Sequence, residues 1–213
     1  MSRTVELSPI LLLAAASTML GLSTTCGSSA PDAELMLHEV GQPLGPRWDT
    51  AFIHHAGYWS HYEHDACRSA WPLPPTNDCN DWARFADLHG ALSSGPPRSG
   101  DVFLLWSNRH KRFVHVGIVA SYRHATGILP NGKSYMECET IEGNVDPAGR
   151  WHRGGIHRCT RRIVAEKGDR LIRWTELGEQ IRWAAVAAPA ELCRSLMLRE
   201  MHARNCKNAD RAA

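Results

Sequence analysis

Apolar residues recur along this chain with two different periods, and the change of period separates helical from strand-forming parts. Before residue 91 the apolar positions follow a helical spacing and predict three helices, at residues 31–41, 48–57 and 80–90, the third capped by Thr76 or Asn77. Beyond that point, short β-branched stretches bounded by Gly, Pro or Asn predict strands, at residues 102–106, 114–122, 134–141, 155–164 and 170–174. Helices followed by strands with short connections predict an α+β fold, with the helices packed on a mostly antiparallel sheet.

The C-terminal part of the chain returns to a helical pattern. Residues 175–188 and 189–206 both have helical spacing, and the second segment carries an apolar stripe, formed by Leu192, Leu196, Met197 and Met201. The sequence therefore predicts one domain, residues 31–175, followed by a helical C-terminal extension, residues 176–213.

An uncharged apolar run, Ile10 to Leu22, lies near the N-terminus with Arg3 before it. It is shorter than the ~20 apolar residues that a membrane-spanning helix requires, and its length is typical of the apolar region of a signal peptide. We predict that residues 1–26 form an export segment and residues 27–30 a linker, which places the protein in the periplasm or cell envelope. The alternative is that the run forms a buried first helix of the domain.

The seven cysteines are compatible with export. Cys26 follows the apolar run, where bacterial lipoproteins carry their acylated cysteine, so it is a candidate for lipidation and for anchoring the chain at a membrane surface. An oxidising compartment would favour disulfides between sequence-local pairs of the other cysteines, whereas in a reducing one they would be small buried thiols. The disulfide candidates are Cys67, Cys79, Cys138, Cys159, Cys193 and Cys206.

Charge and composition restrict the classes of partner. Lys and Arg total 24 against 22 Asp and Glu, a formal net charge of +2, which excludes a nucleic-acid binder that depends on bulk positive charge. Hydrophobic residues make up 43% of the chain, which is enough for a packed core. Residues 150–173 are basic, which indicates either a solvated face or a patch for an anionic membrane, peptidoglycan or an acidic partner.

Several short segments follow one another in an order that suggests a catalytic ancestry. They are WDTAFI at residues 48–53, SGDVF at 99–103, HVGIV at 115–119, TIEGN at 140–144 and GIHRCTR at 155–161. This ordered set resembles the CHAP family, the cysteine- and histidine-dependent amidohydrolases/peptidases related to the NlpC/P60 group. The resemblance covers residues 31–174.

The resemblance implies a papain-like fold and a thiol hydrolase site that uses no metal or other cofactor. In that family a cysteine at a helix start, in a Trp-Cys-x-x-Phe context, is the nucleophile. A histidine on a core strand is its base, and a polar residue on the following strand orients the histidine. Mapped onto this chain, the histidine is His115 and the orienting residue is Glu142, with Asn144 as a further polar contributor. The position of the nucleophile is occupied by Asp49.

Asp49 changes the expected function. A carboxylate is a poor acyl nucleophile compared with a thiolate, but it can cap the helix and pair with His115 in a way that favours the imidazolium. We therefore expect a catalytically degenerate CHAP-like domain that works by binding. Its partner would be a membrane-associated protein complex, of which it is an extrinsic subunit, or the stem peptide of peptidoglycan.

A different cysteine offers an alternative function. Asp78-Cys79-Asn80-Asp81 also stands at a predicted helix start and resembles the Asp-Cys-Ser-Gly motif of NlpC/P60 enzymes, with Asn-Asp in place of Ser-Gly. In this alternative the protein is an active peptidoglycan amidase or endopeptidase, in which Cys79 is the nucleophile and His115 and Glu142 are its partners.

The loop after the second helix is rich in His and aromatic residues. Residues 54–65 hold several potential metal ligands, but their spacing matches no zinc pattern such as His-Glu-x-x-His, so the sequence predicts no metal there. A divalent metal on Asp49, His115 and Glu142 is an alternative to the degenerate triad. Trp59 and Trp71 flank the loops over the expected groove and are candidates to line a ligand cleft or a protein interface.

Overall fold

The computed structural model describes residues 8–20, 36, 41, 48–60 and 71–177. Among these residues three helices come first and six strands follow, with one 3₁₀ turn before the last strand and another after it. The helices are α1 (Pro9–Thr18), α2 (Asp49–Ser60) and α3 (Cys79–Leu88). The strands are β1 (Leu92–Ser93), β2 (Val102–Ser107), β3 (Arg112–Ile128), β4 (Ser134–Val145), β5 (Trp151–Ile163) and β6 (Arg170–Ile172).

The six strands form one antiparallel sheet in the order β1-β6-β2-β3-β4-β5. Strands β2 to β5 are a meander, in which each strand pairs with the next, and β6 crosses back to lie between β1 and β2. The Asp169 carboxylate fixes this return, because it accepts hydrogen bonds from the backbone N–H groups of Trp106 at 2.8 Å and Val164 at 3.0 Å. The structure confirms the α+β class and the mostly antiparallel sheet that the sequence predicts.

The central strand β2 is apolar on both faces. Val102 and Leu104 belong to the large core that the helices cover, whereas Phe103 and Leu105 belong to a second cluster built from strand residues. Because successive strand residues point to opposite faces of a sheet, the sheet has buried material on both sides at this point. This explains why β2 is a continuous apolar run rather than an alternating one.

Helix α2 packs against the middle of the sheet. Phe52 and Ile53 on this helix are fully buried, and α2 contacts β3, β4 and α1. A Cβ atom on Gly143 would lie within 2.8 Å of Phe52, so the glycine in the TIEGN segment allows α2 to approach β4 closely.

Helix α3 begins at Cys79 because Asp78 caps it. The Asp78 carboxylate accepts a hydrogen bond of 2.9 Å from the backbone N–H of Asn80, which satisfies one of the free donors of the first turn. Helical spacing then places Trp82 and Ala86 in the core.

Helix α1 packs against α2, and its residues Leu12 and Ala16 are fully buried. Pro9 lies against Gly100, which has φ +89° and whose Cβ atom, if present, would be 2.3 Å from the Cβ of Pro9. Only glycine fits this position. The packing corresponds to the alternative interpretation of the N-terminal apolar run, a buried first helix; export and removal of residues 1–26 stay predictions.

The strand and helix boundaries differ from the prediction mainly in length. Strand β3 has 17 residues because it continues to Ile128 in the β3–β4 hairpin. Strands β4 and β5 are longer than predicted at the β4–β5 hairpin, where β4 continues to Val145 and β5 begins at Trp151. Strand β1 was missed, since its two residues lie in a segment with the composition of a turn. The helix predicted at residues 31–41, apart from positions 36 and 41, and the helices predicted beyond residue 177 lie outside the described residues.

The described cysteines are free thiols, which corrects the prediction of disulfides for them. Cys79, Cys138 and Cys159 are all unpaired. Cys138 is opposite Arg161 in the β4–β5 register and Cys159 is opposite Thr140, so the two thiols are diagonal neighbours. Diagonal pairs are separated by about 7–8 Å, beyond the Cβ separation of about 4 Å in a disulfide. The other candidates, Cys26, Cys67, Cys193 and Cys206, lie outside the described residues.

Candidate functional site

Asp49, His115 and Glu142, the three residues that the CHAP resemblance selects, meet in the structure. Asp49 is the first residue of α2, His115 lies on β3 and Glu142 on β4. The His115 Nδ1 atom is 3.1 Å from Asp49 Oδ2, and its Nε2 atom is 2.8 Å from Glu142 Oε2. Histidine and both carboxylates are buried. Both ring nitrogens of the histidine are therefore engaged by carboxylate oxygens.

A glycine on β3 makes room for this arrangement. A Cβ atom on Gly117 would lie 2.7 Å from Cγ of Glu142 and 2.5 Å from the ring of Phe103. The missing side chain lets Glu142 lie across β3 and reach His115, two residues away. The HVGIV segment therefore has a physical explanation, because its histidine needs the glycine that follows.

Glu142 has further partners that the sequence did not reveal. Arg161 on β5 donates from Nε to Glu142 Oε1 at 2.7 Å and forms a second contact from Nη2 to Oε2. The Thr140 hydroxyl also donates to Glu142 Oε1, and Arg161 Nη2 donates to the carbonyl of Gly149 at 2.8 Å. The two contacts from Arg161 to the two oxygens of Glu142 form a fork, which is the strong geometry for an arginine–carboxylate pair. Arg161 thus belongs to the site, as the cation that balances Glu142.

The contacts shift the protonation equilibria of the buried groups in opposite directions. Burial alone would lower the pKa of His115, but the hydrogen bonds and charges of Asp49 and Glu142 outweigh it and raise that pKa. Burial would raise the pKa of Glu142, but His115 and Arg161 outweigh it and lower that pKa. The site therefore favours two carboxylates, an imidazolium and a guanidinium, which together are neutral.

The raised pKa of His115 predicts a stability that falls in alkaline solution. A group whose pKa is higher in the folded state stabilises the fold fully below its ordinary value of 6.5, and this contribution is lost as the pH rises through the folded pKa. We expect the free energy of unfolding to decrease between pH 7 and 8, by up to about 1.4 kcal/mol per pH unit. Denaturant titrations at several pH values measure this decrease in the free energy of unfolding.

The variant His115→Gln should remove this dependence of the free energy of unfolding on pH. The variant His110→Gln, at an exposed turn, should keep it. Work between pH 7 and 8 lies above the titration of Asp101, whose pKa burial raises to about 6, and below that of the described thiols, whose pKa values burial raises above 9.0. A wild-type slope that survives in His115→Gln would contradict the assignment.

The alternative nucleophile, Cys79, has the electrostatics of an inert thiol. Burial raises its pKa strongly, and the carboxylates of Asp49 and Asp78 raise it further, which outweighs the opposing charge of Arg112. A reactive cysteine requires the reverse, a thiolate stabilised by positive charge. The position of Cys79 at the start of α3 does not by itself provide this stabilisation of a thiolate.

The residues around Cys79 fix α3 to the sheet. Asn80 Nδ2 donates to the carbonyl of Phe113 at 3.0 Å, and the Phe113 N–H donates to Asn80 Oδ1 at 2.9 Å. Arg112 donates from Nη2 to both oxygens of Asp78, at 3.0 Å each. The Asp-Cys-Asn-Asp segment, which resembles a catalytic motif in sequence, thus caps a helix and pairs with the backbone of β3.

The structure places the other predicted site residues, Asn144, Trp59 and Trp71, in different surroundings or outside the part that it describes. Asn144 is buried near the site with φ +62°, at a shift of the β4–β5 register, so it shapes the strand next to Glu142. Trp71 does not line an open cleft: it is buried over Gly57, and its ring centroid is 5.0 Å from that of Trp174. The Trp59 side chain lies outside the described residues.

The basic stretch at residues 150–173 is largely neutralised. Arg161 pairs with Glu142, and other cations in the stretch pair with carboxylates in the same way. These pairs are Arg150 with Asp146, Arg162 with Glu137, Lys167 with Asp169 and Arg173 with Glu176. The interpretation as a solvated, charge-paired surface is therefore favoured over a patch for an anionic partner.

No group of three His, Cys, Asp or Glu side chains in the described part of the chain is arranged to hold a metal ion. Asp49, His115 and Glu142 direct their polar atoms at one another rather than at a common point. No helix among the described residues is long and apolar enough to cross a membrane.

Comparison with known proteins found no relative of this chain. No family model, no curated protein and no solved structure matches the chain.

Proposed function

We propose that this chain is a CHAP-like domain of papain-like fold that has lost hydrolase activity and works by binding. The observation that carries the proposal is the engagement of both ring nitrogens of His115 by carboxylates, Asp49 at 3.1 Å and Glu142 at 2.8 Å. A general base must offer a free nitrogen to its nucleophile. Here one nitrogen faces the orienting carboxylate and the other faces a carboxylate at the position of the nucleophile.

The Asp49 carboxylate takes the place that a thiolate has in an active thiolate–imidazolium pair. It supplies the same negative charge and contacts the same ring nitrogen, but it does not form an acyl-enzyme that turns over. The domain therefore retains the electrostatics of the resembled site without its chemistry, which supports a binding or scaffold role.

Two classes of partner fit an exported domain of this kind. One is a membrane-associated protein complex, in which this chain is an extrinsic subunit; the other is the stem peptide of peptidoglycan, held in the groove of the resembled enzymes. The N-terminal apolar run and Cys26 support a location at the cell envelope, where both partners occur.

The competing function is hydrolysis by Cys79. It would require the thiol to lose its proton although burial and two carboxylates raise its pKa. It would also require His115 to give up one of its carboxylate contacts. Both requirements oppose catalysis, so binding is the function that the site supports best.

Incubation of the purified full-length protein with peptidoglycan fragments tests the proposal. We expect wild type and Cys79→Ala to release no product above the buffer blank, measured by chromatography of the stem peptides. Cleavage by wild type that Cys79→Ala abolishes would overturn the proposal in favour of the cysteine hydrolase.

The same protein, used as bait with detergent-solubilised membranes, separates the two partner classes. A stoichiometric protein partner supports the subunit role, and calorimetric binding of stem peptide supports the cell-wall role. Absence of both would contradict a binding function.

A further inference from the structure

Strand β5 is the last strand of the sheet, and its outer edge has no neighbouring strand among the described residues. It pairs with β4 without a register shift over residues 156–163, so the edge is regular over this length. Edge strands in natural proteins are normally short, bulged or covered, because their free N–H and C=O groups can pair with another chain. A regular edge of this length is therefore suited to the addition of a further strand.

One side-chain contact shows which backbone groups of β5 point outwards. The Cys159 carbonyl accepts a hydrogen bond of 3.2 Å from the Thr140 hydroxyl on β4, so the backbone groups of Cys159 face β4. Residues of an antiparallel strand direct their N–H and C=O groups to alternate sides. Arg158 and Thr160 therefore direct theirs away from the sheet, and the side chains of these two residues and of Arg162 are exposed.

The charge of this edge selects the kind of partner. Residues 156–163 hold three arginines and no carboxylate. Two of the arginines contact glutamates of β4, but Arg158 forms no ion pair with any of the described residues. A second copy of the strand would bring arginines from both sides of the interface together, and like charges across a strand pair are destabilising. The edge therefore favours a strand that carries carboxylates.

We propose that β5 is a docking edge, to which an extended acidic segment of a partner protein adds as a further strand. The outward N–H and C=O groups of Arg158 and Thr160 pair with the backbone of this segment, and the Arg158 side chain faces one of its carboxylates. The inference deepens the proposed binding role and rests on it for the existence of a protein partner. It does not involve Asp49 or His115, so it can fail while the peptidoglycan assay gives the expected result.

Fluorescence anisotropy of a labelled synthetic peptide with the full-length protein tests the docking edge. The peptide alternates glutamate with valine over the length of residues 156–163, so that its carboxylates share one face of the added strand. We expect this acidic peptide to bind at least about tenfold more tightly than a matched peptide with lysine in place of glutamate. Arg158→Glu should weaken its binding at least about fivefold. Arg123→Glu makes the same change of charge on β3, at a side chain that is 80% exposed, and should leave binding unchanged.

A second comparison tests whether backbone pairing carries the contact. Thr160→Pro removes an outward N–H and keeps the hydrogen bonds to β4. It should weaken binding at least about tenfold, because a carbonyl of the peptide loses its partner. Thr160→Val keeps the N–H and should bind within about twofold of wild type. If denaturant titration shows that Thr160→Pro is unfolded, an acidic peptide N-methylated at every second residue makes the same test on the wild-type protein.

Three results would overturn the proposal: no binding of the acidic peptide to wild type, equal binding of the acidic and lysine peptides, or binding that neither Thr160→Pro nor N-methylation weakens. Sedimentation of the wild-type protein as a dimer that Thr160→Pro converts to a monomer would also overturn it, because a second copy of the chain would then occupy the edge.

Discussion

Asp49→Cys should create a thiol that ionises far below the ordinary range of cysteine. The introduced side chain would stand at the start of α2 and face His115, whose contact with Glu142 favours the imidazolium. A helix N-terminus and an adjacent imidazolium both stabilise a thiolate. The rate of alkylation by iodoacetamide at this position should change less than about twofold between pH 5.5 and 7.5, whereas an ordinary thiol slows about tenfold per pH unit.

Peptide mass spectrometry separates this site from the native cysteines. Burial raises the pKa of Cys138 to about 12 and that of Cys159 to about 11, so neither should be labelled in this pH range. The double variant Asp49→Cys/His115→Gln is the control, and its introduced thiol should regain the ordinary pH dependence. An ordinary profile in Asp49→Cys alone would contradict the assignment of this position. Trace cleavage of peptidoglycan fragments by Asp49→Cys would further support the proposed ancestry.

Glu142→Gln should be the most destabilising conservative substitution in the site. The glutamate is fully buried and is the common partner of His115, Arg161 and Thr140. The amide has nearly the same shape but no charge, so the buried His115 and the half-buried Arg161 would lose the carboxylate that they share, and only Asp49 would remain beside His115. Breaking a buried pair by removing one partner costs about 3–5 kcal/mol, which denaturant unfolding of the variant measures.

The same strand provides a matched control. Glu137 lies on β4 and pairs with Arg162 at 3.3 Å, with both side chains substantially exposed. Glu137→Gln should change the free energy of unfolding by less than about 1 kcal/mol, because exposed ion pairs contribute little. If the two variants differed by less than that amount, the buried network would not have the energetic importance assigned to it.

The sequence predicted that Asp49, His115 and Glu142 meet because each lies in one of the short segments that resemble the CHAP family. The glycines of HVGIV and TIEGN are part of that signal, since Gly117 and Gly143 make the close contacts possible. Arg161 was missed although it lies in the GIHRCTR segment. Glu142 is opposite His157 in the register, and Arg161 reaches it from four residues further along β5, which local spacing does not indicate.

Trp71 shows a second limit of prediction from sequence. Its surroundings are loop-like in composition, so an exposed aromatic side chain was the natural expectation. The structure buries it because Gly57, on another element, leaves a place for the ring. Likewise the sequence pattern of Asp78 and Asn80 resembles a catalytic motif, and only their contacts with Arg112 and Phe113 reveal a structural role.

The order of the strands implies an order of assembly. Strands β2 to β5 pair with their neighbours in sequence, and such local pairings form with a small loss of chain entropy. They bring His115, Glu142 and Arg161 together on their own. Asp49 is 66 residues before His115, so the fourth charge should join only when α2 docks on the finished meander. Until then the imidazole nitrogen that faces α2 has no carboxylate partner, and its proton affinity should report the moment of docking in a refolding experiment.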